Sequence, residues 1–115
     1  MGDFRRLKAW QKAHAYGLAV HAAFKNVRTW VSPGLRSQIL RAVSSIADTL
    51  AEGCAKQSRR ELARDADMAY SSSKEVENDL IRAHALGMLA RVTFEDLLLQ
   101  GDEVSRLCYG LARKR

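Results

Sequence analysis

Apolar and small residues recur at steps of three and four along almost the whole chain, the period of helices that each bury one stripe. The first run is Leu7, Trp10, Ala13, Gly17, Val20, Phe24 and Val27. It predicts a helix over about 7–27 that ends in the segment Arg28 to Val31, because Ser32 followed by Pro33 pairs an N-cap residue with the proline favoured in a first turn. Leu35, Ile39, Ala42, Ile46, Leu50 and Gly53 predict a second helix over about 33–54, with Leu40 and Val43 widening its apolar face and Gly53 near its finish. Ser58-Arg59-Arg60-Glu61 matches the capping box and opens a third helix over about 59–88. Along it Leu62, Ala66, Ala69, Ser73, Val76, Leu80, Ala83 and Gly87 alternate steps of four and three, a packing seam whose small members predict close neighbours on more than one side. Gly87 is a candidate C-terminal signal. Thr93 is a candidate cap for a fourth helix over about 94–112, with Glu95 and Asp96 in its first turn and a stripe of Phe94, Leu97, Gly101, Val104, Cys108 and Leu111.

No stretch alternates with period two for long enough to argue for a strand. Connections this short cannot cross the length of a bundle, so consecutive helices must run antiparallel. The expected fold is all-α, an antiparallel up-down-up-down four-helix bundle, in a single domain over 1–115.

Composition narrows the classes that remain. With 47% hydrophobic and 28% charged residues and a single proline, the chain is globular rather than disordered. Charges occupy the start where a signal peptide needs an apolar core, and no apolar run approaches the roughly 20 residues that span a bilayer, so no membrane partner and a cytoplasmic location are expected. Cys54 and Cys108 lack the spacing of a zinc or redox motif. Free thiols in a reducing compartment suit them, although antiparallel topology carries both helix ends to one pole and leaves a disulfide open.

Charge adds the main functional cue. The formal net charge is +6, from nineteen Lys and Arg against thirteen Asp and Glu. Antiparallel topology brings the start of helix one, the second connection and the end of helix four to a common pole. That gathers Arg5, Arg6, Lys8, Lys56, Arg59, Arg60, Arg113, Lys114 and Arg115 against mainly Asp3, Glu52 and Glu61. Such a field holds phosphates by releasing counterions, which makes these residues the candidate nucleic-acid contacts, although a solvated basic end is the simpler alternative. Trp10 and Tyr16 are candidates to stack on single-stranded bases, but their spacing on helix one favours burial against another helix. Ten of the thirteen acids (Glu61, Asp65, Asp67, Glu75, Glu77, Asp79, Glu95, Asp96, Asp102, Glu103) lie in helices three and four, whereas the first 31 residues carry six basic residues and only Asp3. This asymmetry suits a head-to-tail contact between subunits.

Motifs of catalysis do not follow. Di-iron bundles need paired Glu-x-x-His motifs, and the sequence has none. His14 and His21 stand two turns apart without a carboxylate beside them, and His84 has no ligand-like neighbour at helical spacing. Ser71 to Lys74 reads S-x-x-K, but its companion motifs are missing, and Ser73 suits a small seam position better. No P-loop or dinucleotide fingerprint occurs. No enzyme activity, no metal and no cofactor are expected.

Several runs taken in order carry a resemblance. They are Phe4, Leu7, Trp10 and Ala13; Gly34, Leu35 and Gln38 with Arg41-Ala42-Val43-Ser44-Ser45-Ile46; Ala51-Glu52-Gly53; Ala69-Tyr70-Ser71-Ser72-Ser73-Lys74-Glu75-Val76-Glu77; and Ala83 through Leu86-Gly87-Met88-Leu89. With these the chain resembles the small four-helix-bundle proteins encoded in intervening sequences of 23S rRNA genes, which are related to the accessory variability determinant of diversity-generating retroelements. The resemblance implies a ring, commonly a homopentamer, with nucleic-acid association in some members and a reverse-transcriptase partner in the retroelement branch. Phe24 is followed by Lys25 and Asn26 where the family usually has a proline-containing segment, and Ser71 stands where a glycine is often found. The expected function is a non-enzymatic, ring-forming bundle that contacts RNA or single-stranded DNA without reading its sequence. The alternative is an oligomeric scaffold for a protein partner, such as a reverse-transcriptase-like polymerase.

Overall fold

A computed structural model describes residues 2–27 and 31–114. A short 3-10 turn, Phe4–Arg6, leads into four helices, α1 (Lys8–Phe24), α2 (Pro33–Ala55), α3 (Arg59–Ala85) and α4 (Arg91–Ala112). Each helix packs closely on two others: α2 on α1 and α3, α4 on α1 and α3, so that α1 and α3 hold opposite corners, as do α2 and α4. The result is the expected all-α four-helix bundle, 44 Å long and about 20 Å across.

Stripe residues form the core. Val20, Phe24, Ile39, Val43, Ile46, Leu50, Val76, Leu80 and Leu97 are sealed from solvent, and each buried aliphatic or aromatic side chain of this kind contributes roughly 1.5–3 kcal/mol. The α3 seam is buried from Leu62 to Ala83, and its small members let α2 and α4 approach it. At Gly53 the approach is tightest: a Cβ there would sit 2.8 Å from the Cβ of Asp65. Gly101 on α4 likewise receives the Tyr16 ring, whose hydroxyl would lie 2.7 Å from an added Cβ.

Two carboxylates on α3 are buried against the pattern. The Asp65 side chain accepts from Lys56 Nζ at 2.8 Å. Asp79, counted above among the acids of helices three and four, is buried, accepting from Gln38 Nε2 of α2 at 2.8 Å and from Arg82 Nη1 at 3.3 Å. Its seam-adjacent register turns it inward, and the two donors offset the cost of burying the charge.

Helix ends follow local chemistry and correct some boundaries. Ser58 caps α3, accepting from the Glu61 amide at 3.1 Å, but the Glu61 carboxylate accepts from the Ser58 hydroxyl at 3.3 Å rather than from its backbone N–H. The third helix stops at Ala85, short of Met88. Gly87 adopts φ +78° and donates to His84 O while Met88 N donates to Ala83 O, the paired bonds of a Schellman ending that only glycine enters without strain. α4 begins at Arg91, not after Thr93: Ala90 is its N-cap without a side-chain bond, and Met88 and Leu89 are buried just ahead of it. Glu95 and Asp96 therefore lie beyond the first turn. Ser32 precedes Pro33 as expected but makes no capping bond. α1 ends at Phe24, where Arg36 Nε of α2 donates to Phe24 O at 3.0 Å; most of the predicted terminal segment, 28–30, lies outside the described residues.

Candidate nucleic-acid interface

Antiparallel topology delivers four chain segments to one end of the bundle. Cys54 Sγ near the end of α2 lies 3.5 Å from Gly2 O, and a groove of about 350 Å³ is shared by Arg6, Leu7, Cys54 and Leu62. A second groove, of about 260 Å³, has Arg59 and Leu62 of α3 on one side and Leu111 and Lys114 at the end of α4 on the other. Lys8 opens α1 across from that same α4 end. The structure thus brings Arg6, Lys8, Arg59 and Lys114 together. Arg5 in the 3-10 turn, Lys56 and Arg60 around the α2–α3 connection, and Arg113 beside Lys114 belong to the same end by position. Arg115 lies outside the described residues.

These cations differ in how committed they are. Arg5 grips Asp3 through two bonds of 2.9 Å, which lowers the Asp3 pKa. Lys56 is tied to Asp65. Arg113 lies over the Tyr109 ring, 4.1 Å from its centroid. Arg6, Lys8, Arg59, Arg60, Arg113 and Lys114 form no ion pair among the described residues. The nearby acid Glu61 is engaged with Ser58. Two helix starts and two helix ends share this pole, so their dipoles largely cancel and the positive field comes from side chains. The opposite end also carries cations: Arg82 and Arg91 there are paired with Asp79 and Glu95, Arg36 donates to Phe24 O, and Lys25 forms no ion pair among the described residues.

The two aromatic candidates part ways. Tyr16 is 1% exposed and cannot stack on a base; burial raises its pKa, with Glu77 adding to the effect, and its hydroxyl has no hydrogen-bond partner among the described residues. Its place on the core stripe decided that. Trp10 is half-buried, with Phe4 edge-on at 5.0 Å and the exposed His14 stacked at 4.8 Å and 7°. His21 Nδ1 lies 2.8 Å from Gly17 O, and His84 stacks on Phe94 at 4.2 Å. Among the described residues no group of three His, Cys, Asp or Glu side chains could hold a metal. Burial pushes the Cys108 thiol up to about 11, far from a reactive thiolate. No helix among the described residues is long and apolar enough to cross a membrane.

Sequence reasoning passed over Tyr70 and Tyr109 as a pair. They meet across α3 and α4 at 5.5 Å, with Lys74 and Arg113 over their rings. The basic residues four after each tyrosine were the available signal.

The model of the 23S rRNA-intervening sequence protein family matches residues 5–110. Among solved structures, the chain is similar to a protein of unknown function from the S23 ribosomal protein family of Bacteroides thetaiotaomicron VPI-5482. The identity is 18% and the TM-score 0.81, over 92% of this chain and 99% of that one. At that identity the likeness is one of fold. No curated protein matches the chain.

Proposed function

The chain belongs to the family of 23S rRNA-intervening sequence proteins, and from that premise we propose that it is a non-enzymatic, ring-forming bundle that binds RNA or single-stranded DNA through its basic pole. The observation that carries this reading is the gathering at one end of Arg6, Lys8, Arg59, Arg60, Arg113 and Lys114, none held in an ion pair among the described residues. Cations outside ion pairs are available to neutralise phosphates and release their counterions. Ring assembly belongs to the same proposal. Val92 and Leu99, seven residues apart on α4, are 80% and 73% exposed, an apolar stripe that suits a contact between subunits.

Fluorescence anisotropy with single-stranded RNA and DNA over a salt series tests the binding. Affinity should fall steeply with salt, and reversing charge at Arg59, Arg60 and Lys114 should flatten the slope; affinity indifferent to salt rejects the reading. Light scattering of the purified protein tests the ring, and a monomeric mass rejects that part. The exposed Val92 and Leu99 also favour a second reading, a scaffold for a reverse-transcriptase-like protein. Under it Leu99→Glu abolishes partner capture while the pole variants leave it intact.

A further inference from the structure

We propose that the groove crossing the last two turns of α4, held open by Gly110, is the seat for one unstacked base of a single-stranded nucleic acid. This rests on the nucleic-acid reading above and gives it an address. The groove holds about 220 Å³ and runs past Leu111 into the neighbouring space of about 260 Å³ beside Arg59. Each space suits a flat ring and falls short of the roughly 300–1,000 Å³ of a drug-sized site. Leu107 and Leu111 form its apolar floor; Lys8, Arg106 and Lys114 form its rim, with Arg59 at the far end. No residue lining either space is acidic. Arg106 is bonded to Asp102 at 2.9 Å, but both side chains are largely exposed, and a pair of that kind yields readily to a phosphate.

An apolar floor inside a ring of cations is the chemistry of a nucleotide: a base face leaves water while its phosphates meet the rim. No polar side chain on the floor addresses a base edge, so base identity is not read. A base inside a duplex cannot reach the floor without leaving its stack, so single strands are the substrate. Three other grooves among the described residues lack this combination: between α1 and α2 the lining includes Asp48 and no Lys or Arg, between Tyr70 and Tyr109 it includes Asp102, with the ring faces already under Lys74 and Arg113, and the groove beside Cys54 includes Asp3.

Glycine weakens a helix relative to alanine, and at Gly110, as at Gly17 and Gly34, a Cβ meets nothing within 4 Å, so packing within the bundle does not call for it; of these three only Gly110 lines a groove rimmed by cations. Its missing side chain keeps the groove clear.

The test compares a short single-stranded oligonucleotide with an abasic strand of equal length and charge, by anisotropy, for the wild type and for Gly110→Ala, Gly110→Gln and Gly110→Leu. The wild type should prefer the strand with bases by about fivefold, the order expected for removing one ring face from water. That preference should shrink as the side chain grows and vanish in Gly110→Leu, with the salt slope unchanged and the thermal midpoint at or above that of the wild type. The graded set keeps the answer readable should the largest variant fold poorly. Full preference in Gly110→Gln and Gly110→Leu, or equal affinity for the abasic strand, overturns the seat while leaving the basic pole standing. Binding to anionic vesicles that Gly110→Leu abolishes, without base dependence, assigns the groove to an acyl chain and also overturns it. No salt-dependent binding of any strand removes the underlying reading together with the seat.

Discussion

Gly53→Ala is the sharpest test of the packing described here, because the same substitution should have the opposite sign at Gly17. At Gly53 the new methyl would sit 2.8 Å from Asp65 Cβ, 2.9 Å from Asp65 Oδ2 and 3.2 Å from Leu62 Cδ1. Asp65 Cβ is part of the α3 framework and cannot swing aside, so α2 must move away from α3 or the Lys56–Asp65 bond must give. Overpacking of this kind costs about 1–3 kcal/mol, from which the better helix propensity of alanine subtracts about 0.5–1 kcal/mol. The net expectation is a loss of up to about 2.5 kcal/mol. For 115 residues an unfolding entropy of about 0.24 kcal/mol/K converts each kcal/mol into about 4 °C, a fall in Tm of up to about 10 °C. At Gly17, within α1, a Cβ meets nothing within 4 Å, so Gly17→Ala should gain about 0.5–1 kcal/mol. Urea unfolding followed by circular dichroism, at one fixed protein concentration, reads both, and the m-value should stay constant. Gly53→Ala gaining as much as Gly17→Ala refutes the close approach of α2 to α3.

Three further outcomes can be checked in the same assay. Tyr16→Phe should leave stability unchanged or raise it by up to about 1 kcal/mol, since the buried hydroxyl, seated against Gly101, has no partner among the described residues; a marked loss would reveal a partner. Ser58→Ala should cost about 1 kcal/mol by freeing the Glu61 amide, whereas Thr93→Ala, inside the helix rather than at its cap, should cost well under that. Stability should decline as pH rises from about 9 towards 11: the folded state holds the Cys108 proton to about 11 against an ordinary 9.0, so the unfolded chain releases it first, and buried Tyr16 acts in the same direction. Cys108→Ala should flatten that alkaline limb, and an unchanged limb would contradict the assigned cause.

Four helices were legible because each carries a stripe at steps of three and four, and the core they form is the one those stripes define. The ends were legible only where a side chain or a glycine does the work, as at Ser58 and Gly87. At the start of α4 the cap is Ala90, which offers no oxygen to recognise, so the eye falls on Thr93 three residues on. The basic pole followed from topology and sequence position together. Its internal pairings did not, because Lys56 meets Asp65 across the α2–α3 turn at a separation set by tertiary packing rather than helical period. Gly110 was invisible for a related reason: it lies off the buried stripe of α4, and only the neighbouring α1 start turns it into the mouth of a groove. Tyr16 is buried as its spacing implies, because its register between Ala13 and Val20 is a core register, and stacking on a base is closed to it.

Asp79 has a mechanical consequence for the whole rod. One carboxylate oxygen is tied to Gln38 on α2 and the other to Arg82 on its own helix, in a position 1% exposed. Sliding α2 by a single turn, about 5.4 Å, would pull the amide away and strand an ion in hydrocarbon. The two rods are therefore keyed against telescoping, and a load on the cationic tip meets a stiff strut rather than a piston.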